Sequence, residues 1–234
     1  KDVYFTGRVR DKKRRKMSKQ LGNSPDPLDL IAQYGADGVR VGMLMAAPAG
    51  NDLLFDEDLC AQGSFFANKV WNAFRLVGMW ETGADKMSPS EALAVNWMRN
   101  RIGEALIELE NSFIKYRLSE ALMTTYKLVW DDFCSWYLEI VKPARGEKVS
   151  AEALEATKNI FNTLLEIMHP FMPFITEELW QNLADRKEGE TINFAPWPSL
   201  KVEDDAILKA FNHFAEVVGG VRTVRNENGI APKE

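Results

Sequence analysis

The densest run of cationic side chains in this 234-residue chain is Lys12, Lys13, Arg14, Arg15, Lys16 and Lys19. Within it, Lys16-Met17-Ser18-Lys19 sets two ammonium groups on either side of a hydroxyl. Mobile ammonium groups suit work on phosphates, where negative charge builds on oxygen as a bond to phosphorus breaks, and a serine hydroxyl can hold such a loop in shape. The charges alone fit a solvated basic loop equally well. A second set comprises Phe65, Phe66, Lys69, Asn72 and Arg75. Lys69, Asn72 and Arg75 recur every third residue, so on a helix they share one side and leave Trp71 and Phe74 to face a core. Unpaired RNA bases stack on aromatic rings and present their edges to hydrogen-bond donors, while Lys and Arg orient the phosphates.

These residues need elements to position them. A strand is expected from Val3 to Thr6, with the basic loop after it. Asp26-Pro27-Leu28-Asp29 supplies an acceptor at the N-cap, proline at the first helical position and an acid at N3, so a helix starts there and ends near Tyr34-Gly35. More helix is expected from Asp37 to Ala46, followed by a loop through Pro48, Gly50 and Asp52 that serves as a domain boundary. Four long periodic segments follow, the pattern of a helix bundle. The first runs from Glu57 to Trp80. The second opens on the capping box Ser88-Pro89-Ser90-Glu91 and buries Met98, Ile102, Ala105, Leu109, Phe113 and Tyr116. The third carries Leu118, Leu122, Val129, Phe133, Trp136 and Ile140 up to Pro143, with Arg145 to Lys148 as the connection. The fourth runs from Ser150 to Met168. His169-Pro170 breaks it, Thr176 opens a short helix through Trp180, Thr191 to Trp197 is irregular or a short strand, and a last amphipathic helix spans Glu203 to Arg225.

Composition narrows the function classes. Hydrophobic residues make up 46% and charged residues 27%, ordinary globular usage. No apolar run reaches the roughly 18 to 20 residues of a membrane helix, and the Lys1 start is unlike a secretory signal, so a cytoplasmic protein is expected. Cys60 and Cys134 are isolated and only His169 and His213 accompany them, so no metal site is expected and both thiols read as buried apolar groups. His169, beside Pro170, reads as a helix-end hydrogen-bonding residue. A net charge of -5 disfavours indiscriminate polyanion binding, so any RNA contact must use a local basic surface.

Lys16-Met17-Ser18-Lys19-Gln20-Leu21-Gly22-Asn23 resembles the KMSKS signature of class I aminoacyl-tRNA synthetases. The match continues through Asp26-Pro27 to Ile31, Tyr34-Gly35-Ala36-Asp37 and Arg40. Asn68-Lys69-Val70-Trp71-Asn72-Ala73-Phe74-Arg75 resembles the segment that opens the anticodon-binding bundle of the valine, isoleucine, leucine and methionine enzymes. Phe133 to Glu139, Pro170 to Trp180, and Val221, Arg222, Arg225 and Asn226 resemble later segments of the same enzymes, the first two as packing. The resemblance implies a mainly α chain. Residues 1–50 would be the end of the catalytic domain with its signature loop, and residues 51–234 the anticodon-binding helix bundle. It implies catalytic roles for Lys16, Ser18 and Lys19, ATP contacts from Lys16, Met17, Ser18 and Lys19, and tRNA contacts from Phe65, Phe66, Lys69, Asn72, Arg75, Arg222 and Arg225.

The sequence departs from the family at Gln20, usually serine, at Arg14, usually glycine, and at Gly63-Ser64-Phe65-Phe66, where an arginine is missing and an aromatic is added. The run from Pro48 to Leu53 and the approach from Asp2 to Asp11 sit closest to the valyl branch; the isoleucyl and leucyl branches, and a stand-alone helical RNA-binding module, are the alternatives. A valyl parent would use ATP and Mg2+ to charge tRNA-Val and would hydrolyse misattached threonine. This chain lacks the HIGH signature, so by itself it is expected to be inactive; a monomer without a cofactor is also expected. Its expected partners are the tRNA-Val anticodon stem-loop and the rest of the synthetase. Both ends read as cuts through a longer protein.

Overall fold

A computed structural model describes residues 7–47, 50–144 and 146–230. The strand expected from Val3 to Thr6, and Arg145 in the expected connection, lie outside these residues. Two short strands, β1 (Val9–Arg10) and β2 (Leu53–Leu54), pair in parallel with Val9 opposite Leu53. Between them the chain forms a basic loop with one 3-10 turn and two helices, α1 (Pro27–Tyr34) and α2 (Ala36–Met45). Asp26 accepts from the Leu28 amide at the start of α1, and Gly35, at φ 76°, ends it. A side chain at that backbone angle would be strained, so glycine is what permits the sharp turn into α2.

The bundle begins with α3 (Glu57–Gly78), capped by Asp56, and α4 (Pro89–Ile114). At α4, Ser88 and Glu91 satisfy each other's backbone amides in the reciprocal capping box that the sequence predicts. The third long segment is α5 (Leu118–Lys127), a π-helical stretch at Leu128–Tyr137, and α6 (Leu138–Val141). Helix α7 (Ala151–Met168) is capped by Ser150, α8 (Pro173–Leu183) turns off after the His169-Pro170 corner, and α9 (Asp205–Glu227) closes the described chain. One hydrophobic core joins α3, α4, α7 and the π segment, with Phe66, Trp97, Met98, Phe133, Tyr137 and Phe161 essentially inaccessible to solvent. A smaller cluster of Leu30, Leu53, Phe55 and Cys60 lies under the basic loop. Both cysteines are free and buried.

Four expectations need correction. Residues 128–137 form a π-helix where an α-helix was expected: the Leu138 amide reaches back five residues to Phe133, and buried Val129, Phe133, Tyr137 and Val141 recur every fourth residue. Trp136 and Ile140, placed on the core face by α periodicity, are consequently only partly buried. Tyr116 lies beyond the end of α4 at φ 55° and is 43% exposed, so it turns the chain instead of extending the buried face. Residues 191–197, expected to be irregular or a short strand, contain the 3-10 turn Ile192–Phe194. Finally, α8 opens at Pro173 and not at Thr176, which is buried inside the first turn and donates to the Met172 carbonyl.

The group that receives the first amides of α8 comes from far away in the chain. Asp37 of α2 accepts from Phe174 at 3.3 Å and Ile175 at 2.7 Å. One turn on, Arg40 donates to the Phe171 carbonyl at 3.2 Å and to that of Pro170 at 3.1 Å. The two side chains clasp α2 to the corner between α7 and α8. Burial pushes the Asp37 carboxyl above its ordinary value, against the opposing pull of the two amides, Arg40 and His169. The folded state therefore holds this proton more tightly than the unfolded chain, and stability present at low pH is lost as pH rises through the shifted pKa. Replacing Asp37 with Ala leaves two helix-start amides without their acceptor, and a loss of about 1 to 2 kcal/mol is expected in urea melts. Asp37→Asn, which keeps one acceptor and cannot ionise, should lose less, and the unsubstituted chain should weaken relative to it as pH rises above the usual aspartate range.

Candidate nucleic-acid interface

The basic loop is organised by one carboxylate. Asp11 accepts from the Lys13 and Arg15 amides at 3.0 and 2.8 Å, from Arg15 Nε at 2.8 Å and from Asn23 Nδ2 at 3.0 Å. The Asn23 hydrogen bond, then those from Arg15, hold the Asp11 carboxyl well below the usual range. Asn23 also donates to the Lys16 carbonyl and accepts the Ser18 amide at 2.9 Å, so it ties both sides of Met17. Ser18 caps the 3-10 turn Lys19–Leu21 by accepting from the Leu21 amide. Met17 packs against the Leu30, Leu53, Phe55 and Cys60 cluster, which makes its side chain an anchor for the loop.

The loop cations divide into two groups. Lys12 pairs with Asp56 at 2.8 Å and Asp58 at 3.4 Å, which raises its pKa, chiefly through the Asp56 hydrogen bond; Arg15 pairs with Asp11 at 2.7 Å. Among the described residues no carboxylate pairs with Lys13, Arg14, Lys16 or Lys19, all of which are exposed. Arg14, standing where the resemblance expects glycine, takes φ 62°, a left-handed angle that costs a side-chain-bearing residue about 1 kcal/mol.

On α3 the structure brings together only part of the expected stripe. Phe65 is 63% exposed, and Asn72 and Arg75 lie on the same open face without side-chain partners among the described residues. Asn68, which the every-third-residue reading passed over, shares that face; the three-and-four spacing Phe65, Asn68, Asn72, Arg75 is the signal that finds it. Lys69 sits at the edge, half-buried, with its ammonium 5.5 Å from the centre of the Trp130 ring. Phe66 is excluded from stacking on a base because it is fully buried, with its ring centre 4.7 Å from that of Tyr126. Trp71, expected in the core, is 40% exposed, since the buried face of α3 is set by Phe66, Val70, Ala73 and Val77.

Near the far end of α9, the Arg222 guanidinium lies 5.2 Å from the centre of the Trp136 ring, and Arg225 is partly buried on the same helix. His169 is a helix-end residue as expected, with Nδ1 2.7 Å from Thr176 Oγ1 and Nε2 3.1 Å from Asn193 Oδ1.

A family model described as the anticodon-binding domain of tRNA ligase matches residues 95–234. The chain belongs to that anticodon-binding family. A second model, of class I tRNA synthetases of the I, L, M and V group, matches residues 1–56 and so takes in the basic loop. The chain is 56% identical, over its whole length, to valine--tRNA ligases of Christiangramia forsetii and Parabacteroides distasonis, and 39% identical over 99% of its length to that of Fusobacterium nucleatum. It spans 27% of the length of each of these relatives. Solved structures share the fold. A LeuRS-tRNA-LeuAMS ternary complex from Agrobacterium radiobacter superposes with a TM-score of 0.62 at 20% identity, over 88% of this chain and 24% of that one. Mycobacterium tuberculosis methionyl-tRNA synthetase gives 0.58 at 18% identity, over 83% and 42%.

The two adjacent phenylalanines of α3 should behave oppositely. Phe66→Ala removes a ring from a closed core and is expected to cost about 3 to 5 kcal/mol in chemical denaturation. Phe65→Ala should change stability by no more than about 0.5 kcal/mol.

Proposed function

We propose that this chain reads the anticodon of tRNA-Val as part of a valine-tRNA ligase, with the exposed face of α3 as the reading surface. The observation that carries the reading is the open row Phe65, Asn68, Asn72 and Arg75, a ring, two amides and a guanidinium without partners among the described residues. A ring on a rigid helix supplies a stacking platform, the amides offer both donors and acceptors to base edges, and the guanidinium takes phosphate or a base edge. Lys69 at the edge, and Arg222 and Arg225 on α9, supply charge for the RNA backbone. The whole-length similarity to valine--tRNA ligases supports the choice of amino acid.

In the same reading, the parent enzyme activates valine with ATP and transfers it to the tRNA end. Lys16 and Lys19 approach the ATP phosphates, where their charge is worth most as pyrophosphate leaves. Both are exposed and without a carboxylate partner among the described residues, on a loop whose shape is fixed by Asn23 and Ser18. Mg2+ would arrive with ATP, and no residue of this chain is assigned to hold it. The rest of the catalytic apparatus and the editing of threonine belong to the parent, and this chain alone carries out neither step.

The direct test is binding of the chain to tRNA-Val transcripts with native or substituted middle and third anticodon bases, at two salt concentrations. Base substitution should weaken binding about tenfold or more, roughly 1.4 kcal/mol, and Asn72→Ala should erase that discrimination while leaving most of the salt dependence. Equal, steeply salt-dependent binding of every transcript would overturn anticodon reading in favour of simple backbone attraction.

A further inference from the structure

Residues 11–23 are tied to one another more densely than to anything around them. Asp11 gathers Lys13, Arg15 and Asn23, and Asn23 gathers Lys16 and Ser18. The backbone adds Asp11 to Arg15 and Arg14 to Asp11. These bonds make the segment a small body that carries Lys16 and Lys19 at a fixed spacing. Among the described residues its attachments to the rest of the molecule are few: the Met17 side chain on the lower cluster, the contacts of Lys16 and Arg14 with Arg10, and the Lys12 ammonium on Asp56 and Asp58.

The last attachment differs in kind from the others. Asp56 is the N-cap of α3 and Asp58 lies in its first turn, so Lys12 clips the loop to the start of the helix that bears the proposed reading surface. Lys12 is 63% exposed, so the ion pairs are screened by water and salt and are weak enough to open thermally. The Asp11 and Asn23 contacts stay within the loop.

We propose that Lys12, with Asp56 and Asp58, is a releasable catch that sets the resting position of the signature loop, and that Asp11 and Asn23 are positioning residues that let it move as one unit with Lys16 and Lys19 in register. The mechanical part stands on geometry alone; its bearing on catalysis rests on the ligase reading above.

The native thiols are buried, so spin labels can be placed on the chain through Gln20→Cys on the loop and Gln62→Cys on α3, both exposed positions. Pulsed dipolar spectroscopy of the labelled chain should give one dominant distance. Lys12→Met, or Asp58→Asn, should raise a second, displaced population about threefold, the size expected from losing weak exposed ion pairs. Lys12→Arg should restore the single distance, and 1 M salt should mimic Lys12→Met. Hydrogen exchange at the Arg15 and Ser18 amides should be unchanged by Lys12→Met and accelerated by Asn23→Ala.

An unaltered distance distribution in Lys12→Met would overturn the catch. Accelerated exchange inside the loop of that variant would overturn the rigid unit. In the full-length protein, Lys12→Met should alter kcat for ATP-pyrophosphate exchange more than KM for the amino acid. A change confined to the amino-acid KM would overturn the link to catalysis. Absence of exchange activity in the unsubstituted protein would instead defeat the ligase reading and leave the mechanical result intact.

Discussion

The two parts of the molecule are held in register by a contact with almost no side chain in it. Helices α2 and α3 cross at Gly38, Gly42 and Gly63. A Cβ added at Gly42 would meet the Cys60 backbone nitrogen at 2.6 Å, and one at Gly63 would meet the Gly38 carbonyl oxygen at 2.5 Å. Either distance is below any tolerable van der Waals contact, so alanine at these points must force the helices apart. Everything in front of α2, including the signature loop, and everything along α3, including its exposed row of donors, takes its relative placement from this crossing. Close packing transmits such a displacement instead of absorbing it. The parallel pairing of β1 with β2 and the clasp of Asp37 and Arg40 on the α7 to α8 corner act on either side of the same joint.

The charge distribution follows from what the acids are occupied with. A chain of net charge -5 repels RNA as a whole, yet many of its carboxylates are engaged in structure. Asp26 and Asp56 cap helices on their own chain segment, Asp37 caps one from across the molecule, Glu91 closes a capping box, and Asp11 organises the loop. Asp132 lies partly buried against Arg101 at 2.8 Å, where burial raises its pKa despite the partner. Lys13, Arg14, Lys16 and Lys19 on the loop, and Arg75 on α3, are left without acidic partners among the described residues. Local positive surface on a negative protein arises here from the placement of acids as much as of bases, and it limits attraction to the places where contact is useful.

What could be read from the sequence was whatever depends on neighbours along the chain. Asp26-Pro27 and Ser88-Pro89-Ser90-Glu91 start helices because cap and amide are two or three residues apart, and the bundle follows from apolar spacing on long segments. The signature loop was legible from its residue order, including the odd Arg14, whose left-handed backbone accounts for why glycine suits that position. The π segment was not legible, because Val129, Phe133 and Tyr137 fit both an α and a π period, and only the backbone bonding, with the Leu138 amide on the Phe133 carbonyl, distinguishes them. Phe65 and Phe66, both expected at the RNA surface, could not be told apart for a related reason. Two adjacent rings of one type give no sequence signal for which faces in, and the decision falls to the neighbours Tyr126 and Trp130, some sixty residues later. The cap on α8 lay beyond local reasoning altogether, since its acceptor stands 137 residues before the amide that it serves.

That separation has a consequence for the order in which the molecule can assemble. During synthesis at about 5 to 20 residues per second, α2 emerges roughly 7 to 27 seconds before the first turn of α8 exists. Through that interval Asp37 and Arg40 have no partners, while the glycine face of α2 can already settle on α3, which follows within some twenty residues. The short-range crossing can therefore form first and the long-range clasp last, as an act of closure once the corner at His169-Pro170 has been made. A nascent chain stalled before residue 173 would hold its helix crossing but not its lock, and would present the buried carboxylate of Asp37 to water.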